Sequence, residues 1–185
     1  SPLSFLISLL AIGAAITIHE FAHALAADRL GDPPPRLQGR LTLNPLAHLD
    51  PLGTLMLVLF RFGWGKPVPV NPNNFQNPKL DNLAVSLAGP ISNLVLATFL
   101  GLVYRFVDLP SSAAIFLVLI IFFNLVLMIF NLIPVPPLDG SKILALFLPE
   151  ETFMYLQQVG ITLLFAIIIF SSFFYPIIPA LMTQA

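Results

Sequence analysis

Four stretches of this chain, residues 1–19, 82–104, 109–138 and 152–185, contain no Asp, Glu, Lys or Arg. As helix, each is long enough for a bilayer core about 30 Å thick, which takes about 20 apolar residues to cross. Hydrocarbon offers no partner to a peptide group, so the backbone there must bond within its own segment, as a helix does. The charge-free runs therefore predict an all-α polytopic membrane protein with about four transmembrane helices, near residues 3–27, 80–106, 112–132 and 152–174. A water-soluble globule is excluded by the same arithmetic: 57% of residues are hydrophobic, 9% are charged and the mean hydropathy is +0.92. The net charge of −1 leaves no basic surface for a phosphate backbone, so no nucleic-acid partner is expected. No basic segment precedes the first run, and Ala22 to Ala27 continue its helical pattern, so it reads as a membrane helix instead of a removable signal.

No repeat, low-complexity tract or linker divides the chain, so residues 1–185 read as one domain. Pro33-Pro34-Pro35 ends the first helix. In the polar stretch that follows, Leu37, Leu41 and Leu43 fall at even spacing, which predicts a small interfacial β-strand over 36–43. Residues 51–60 are apolar but too few to cross, and so are expected to insert partly and return. Prolines at alternate positions from Pro67 to Pro72, around Val68 and Val70, allow an edge strand or a re-entrant hairpin. Trp64, Tyr104, Tyr155 and Tyr175 are placed to mark membrane interfaces.

The chain has no cysteine, so thiolate zinc sites and iron–sulfur clusters are excluded and a metal would have to be held by His, Asp or Glu. Among its three histidines, His19 and His23 stand four residues apart on one helix face in His19-Glu20-Phe21-Ala22-His23. That spacing lets both bind one zinc ion with Glu20 beside it. The alternative is a pair of histidines satisfied by neighbours in a helix bundle, which would bury three ionisable groups in hydrocarbon without a metal. A catalytic zinc has three protein ligands and an open position, so a third must come from elsewhere in the chain. Asp139 stands in an apolar context after a helix break and before Gly140; its competing role is to cap a short helix over 141–148.

His19-Glu20-Phe21-Ala22-His23 early in the chain resembles the site-2 protease family of intramembrane zinc metalloproteases. So do Asn131-x-x-Pro134-x-x-Pro137-x-Asp139-Gly140, Gly89-Pro90-x-x-Asn93, and the segment from Asn44 to Pro51. The likeness is to compact prokaryotic members and extends over nearly the whole chain. It implies one Zn2+ per chain bound by His19, His23 and Asp139, with Glu20 as catalytic acid and base, and cleavage of transmembrane segments of membrane-protein substrates in regulated intramembrane proteolysis. One departure is visible: Pro137-Leu138-Asp139-Gly140 stands where Asn-Pro-Asp-Gly is common. With that site in view, Asn131 and Asn93 become candidates for stabilising an oxyanion or positioning substrate, or for bonding between helices. His48 is a candidate fourth zinc ligand, a group behind the ligands or a gate, with a tied-down interfacial turn as its other reading. The strands carrying Leu37, Leu41 and Leu43, and Val68 and Val70, are candidates for pairing with an unwound substrate.

Orientation follows from parity. If residues 51–60 do not cross, Arg29, Arg36, Arg40, Arg61, Lys66, Lys79 and Lys142 share one side and only Arg105 lies near the other. That bias marks the shared side as cytoplasmic, with the site opening toward it, in a multi-pass protein of a prokaryotic cell membrane. Two other classes compete with the protease reading. A small metal-ion transporter or channel would need more intramembrane polar residues to line a path, and a catalytically silent binding module would not need Glu20.

Overall fold

The computed structural model describes residues 2–60 and 63–174. In these residues the chain is helical: α1 (Pro2–Arg29), α2 (Pro34–Leu37), α3 (Pro51–Phe60), α4 (Pro78–Phe106), α5 (Ser111–Asn131), α6 (Ser141–Phe147) and α7 (Glu150–Phe174). Three of the described helices are long and apolar enough to cross a membrane, at Leu3–Arg29, Pro78–Phe106 and Ser111–Asn131. The fourth expected span falls on α7; the end of that charge-free run, residues 175–185, lies outside the described residues, as do Arg61 and Tyr175.

Helices α1, α4 and α5 pack against one another as a three-helix unit, and burial in it runs opposite to that of a soluble protein. Leu10, Phe99, Phe122 and Ile129 are exposed, whereas Thr17, His19, His23, Asn93 and Asn124 are buried among alanines such as Ala11, Ala15 and Ala97. Small residues inside let helix backbones approach, and polar side chains find partners there that hydrocarbon cannot supply. The closest approach is at Gly89 of α4. A Cβ there would lie 2.6 Å from His23 Cε1 and 2.7 Å from His19 Cε1, so glycine is the residue that admits both rings between α1 and α4.

The interfacial strands expected from the leucine and proline patterns do not form among the described residues. Pro34 and Pro35 start a helical turn that runs to Leu37, and Gly39 at φ +68° breaks it. Leu37 and Leu43 are 80% and 59% exposed, so the even spacing of Leu37, Leu41 and Leu43 has no apolar layer to face. Around Val68 and Val70 the chain is irregular, because alternating prolines remove the donors a ladder needs. The β-pairing present is one isolated antiparallel bridge, Leu49 with Gly65, reinforced by Lys66 N–H donating to His48 C=O at 2.8 Å.

That bridge settles the course of the apolar segment between its ends. Ten-residue α3 leaves from Leu49, and the chain is back beside Leu49 at Gly65, with Trp64 backbone packed against Gly53. Leu49 and Gly65 therefore hold the two ends of this short apolar segment side by side. Cysteine introduced at Gln38 and at Asn73 is expected to react with an impermeant reagent from one membrane face, and cysteine at Ser111 from the other. Reaction of Gln38→Cys and Asn73→Cys from opposite faces would show that 51–64 crosses.

Candidate metal centre

The i, i+4 spacing of His19 and His23 on α1 points both imidazoles at α4, where each finds an acceptor for one ring nitrogen. His19 Nδ1 lies 2.6 Å from Asn93 Oδ1 and His23 Nδ1 lies 2.7 Å from the Val85 carbonyl oxygen. Neither oxygen can donate, so each Nδ1 carries the proton and each Nε2 presents a lone pair. The amide of Asn93 is oriented by its own bonds: Nδ2 donates to Ala15 O at 3.1 Å and to Asn124 Oδ1 at 2.7 Å, which turns Oδ1 toward His19.

The two bare nitrogens face each other and a carboxylate. His19 Nε2 is 3.0 Å from His23 Nε2, and Asp139 Oδ2 is 3.1 Å from the first and 3.3 Å from the second. Three acceptors at such range repel unless a cation stands among them. Zinc with bonds of about 2.0–2.1 Å in tetrahedral geometry separates its ligand atoms by about 3.3–3.4 Å. The observed edges are close to that, and two imidazoles with a carboxylate are a donor set zinc accepts, so the residues fit a zinc ion. Both histidines are buried, while Asp139 keeps 20% of its side chain exposed, which leaves one direction open.

Asp139 arrives there because the chain after α5 folds back tightly. Gly140 N–H donates to Asn131 C=O at 2.7 Å, and a Cβ at Gly140 would lie 2.5 Å from the Leu132 carbonyl carbon. Gly160 of α7 presses on the same loop, where a Cβ would be 2.8 Å from Pro136 Cβ. The first turn of α6 takes no side-chain cap, so Asp139 is not spent on capping. Lys142, one turn further on, is pulled below its ordinary range by burial, with the Asp139 charge opposing.

Glu20 is not one of the three converging donors. One residue on from His19 it points about 100° around the helix, toward Gly65, where a Cβ would meet Glu20 Oε1 at 3.3 Å and Ile16 Cγ2 at 2.9 Å. Arg40 is buried nearby, with Nη1 donating to Pro67 O at 3.1 Å and Nη2 to Lys66 O. Burial lowers its pKa while the charge of Glu20 opposes the shift.

The remaining sequence candidates are placed as follows. Asn93 stands behind His19, within the helix bundle. Asn131 turns its amide back to Leu127 O at 3.0 Å, and its backbone carbonyl holds Gly140. His48 is wholly buried with Nε2 donating to Thr42 O at 2.7 Å, which ties down the turn before α3. Arg40 and Asn124 were not singled out by the sequence. A lone amide at mid-span in a run as apolar as α5 is their available signal, and it applies to Asn124 alone.

Comparison with known proteins agrees with this geometry. The model of Peptidase family M50 matches residues 107–171, which include α5, the loop bearing Asp139, and most of α7. YwhC of Bacillus subtilis is 46% identical over 139 residues, 70% of this chain and 64% of its own length. Rip2 of Mycolicibacterium smegmatis is 36% identical over 146 residues, 75% of this chain and 56% of its own. MJ0611 of Methanocaldococcus jannaschii is 31% identical over 146 residues, 78% of this chain and 72% of its own. All three are named as candidate zinc metalloproteases. The chain thus spans less than two thirds of the first two relatives. No solved structure matches it. Likeness to these relatives over 70–78% of its length, with the family model on the segment that bears Asp139, makes the chain a member of peptidase family M50, the site-2 protease family.

Proposed function

We propose that this chain is an intramembrane zinc endopeptidase that cleaves transmembrane segments of membrane-protein substrates in regulated intramembrane proteolysis. The observation that carries it is the convergence of His19 Nε2, His23 Nε2 and Asp139 Oδ2 while both Nδ1 protons are committed elsewhere. One Zn2+ per chain would be held by these three atoms. When bound, zinc supplies polarisation of a scissile carbonyl and acidification of a water molecule. Glu20, adjacent to the ligands and outside the ligand set, accepts the water's proton and returns it to the leaving amine. Asn93 fixes the His19 ring. Asn131, through its backbone, fixes the loop that carries Asp139. A substrate strand entering beside Glu20 runs along Gly65 to Val68, whose position Arg40 holds; a helix must unwind before its carbonyls are open to attack.

Residues 1–185 act as one domain in this reading, and α7 supplies a fourth crossing. The shared position of Arg29, Arg36, Arg40, Lys66, Lys79 and Lys142 supports a site opening toward the cytoplasm in a multi-pass protein of the cell membrane. The presence of Glu20 beside the donors, with few other intramembrane polar groups to line a path, favours peptide hydrolysis over metal transport.

Purified protein is expected to contain one zinc per chain, and His19→Ala and Asp139→Ala to lose it or bind it at least tenfold more weakly. Full zinc occupancy in both variants, measured by elemental analysis, would remove these ligands. Glu20→Gln is expected to retain zinc and lose cleavage of a membrane substrate by about a hundredfold or more, since an amide takes no proton. Near-native cleavage by that variant would overturn the assignment of Glu20.

A further inference from the structure

Helix α5 presents a long apolar surface to its surroundings, and at its middle stands an amide with no exposure at all, Asn124. An amide at that depth is costly unless every donor and acceptor is used. Asn124 Nδ2 donates to Ile120 O of its own helix at 2.8 Å. That bond fixes the side chain so that Oδ1 faces α4 and accepts from Asn93 Nδ2 at 2.7 Å, the shorter of the two bonds Asn93 Nδ2 makes. With both hydrogens of its Nδ2 taken, Asn93 has only Oδ1 left for His19 Nδ1.

A turned-over Asn93 amide would set Nδ2 against His19 Nδ1. The ring would then have to accept at Nδ1 and carry its proton on Nε2. That proton would occupy the space 3.0 Å from His23 Nε2 and 3.1 Å from Asp139 Oδ2, where a lone pair is needed. We infer that Asn124 is a positioning residue that sets which ring nitrogen of His19 carries the proton, acting through the amide of Asn93. The inference builds on the zinc reading for its consequence, but its geometry involves protein atoms alone. Three helices are joined in one line of bonds, from Ile120 on α5 through Asn93 on α4 to His19 on α1, and each bond dictates the direction of the next.

Leucine shares the branched heavy-atom outline of asparagine, with bulkier methyl ends, and offers no acceptor. Aspartate buried at this position is neutral, donating its O–H to Ile120 O and accepting from Asn93 with its carbonyl, so it reproduces the native pattern. The test compares native protein, Asn124→Leu and Asn124→Asp in nanodiscs, by chelator competition for zinc and by ring ¹⁵N shifts of metal-free, histidine-labelled protein at a pH high enough to leave both His19 and His23 neutral. Native protein and Asn124→Asp are expected to show His19 as the Nδ1–H form and to bind zinc alike. Asn124→Leu is expected to populate the Nε2–H form and to bind zinc about 10- to 100-fold more weakly. An unchanged His19 tautomer in Asn124→Leu overturns the inference, and so does an Asn124→Asp variant as impaired as Asn124→Leu, which would mean that packing alone is at work. If native protein took up no zinc, the metal reading would fall while the ring shifts still decided whether Asn124 sets the tautomer.

Discussion

The bond from His19 Nδ1–H to Asn93 Oδ1 joins the chemistry of the centre to the packing of the bundle. It forms only where α1 and α4 lie close, and Gly89 makes that approach possible by leaving room for both imidazoles. Pro90 follows Gly89 directly; it removes the donor that the Ser86 carbonyl would otherwise meet, next to the Val85 carbonyl that accepts from His23. The same turn of α4 therefore provides space for one ring and an acceptor for the other. With bulky apolar side chains facing outward, close backbone contact and buried hydrogen bonds are what remain to hold such helices together. The bonds that organise the centre are thus also bonds that hold the bundle.

Asp139 reaches the centre by a different kind of constraint. Two glycines, Gly140 and Gly160, occupy places where a Cβ would run into backbone, the first against Leu132 and the second against Pro136. Neither has a positive φ, so their value is the space they leave and not an unusual conformation. The loop they allow is short and folded on the end of α5. Its carboxylate is consequently delivered to the histidines of α1 from the end of α5.

The parts of this arrangement legible in the sequence are those with a short period or an interruption. Helical spacing places His19 and His23 on one face, and a string of prolines after a charge-free run marks where Asp139 can turn inward. Parity leads to the expectation that residues 51–60 return, and the pairing of Leu49 with Gly65 sets the ends of that segment side by side. The even spacing of Leu37, Leu41 and Leu43 misleads because alternation signals a strand only when one face is buried, and Leu37 and Leu43 stay exposed. Asn124 and Arg40 stay hidden for another reason. Their partners, Asn93 at 31 residues' separation and the carbonyls of Lys66 and Pro67 at 26 and 27, are set by tertiary packing that no local pattern encodes.

The position of Glu20 connects the re-entrant segment with the centre. Because α1 turns by about 100° per residue, the face after His19 looks away from Gly89 and toward the chain returning at Gly65. Any side chain at residue 65 would press on Ile16 and crowd the Glu20 carboxylate. Two attachments hold that stretch in place: the Lys66 bond to His48, whose ring is itself tied to Thr42, and the Arg40 bonds to the carbonyls of Lys66 and Pro67. A segment too short to cross a membrane and a buried arginine thereby confine the carboxylate on one side. The three converging donors lie on the other, so on the proposed function a peptide held at the donors would lie within reach of Glu20.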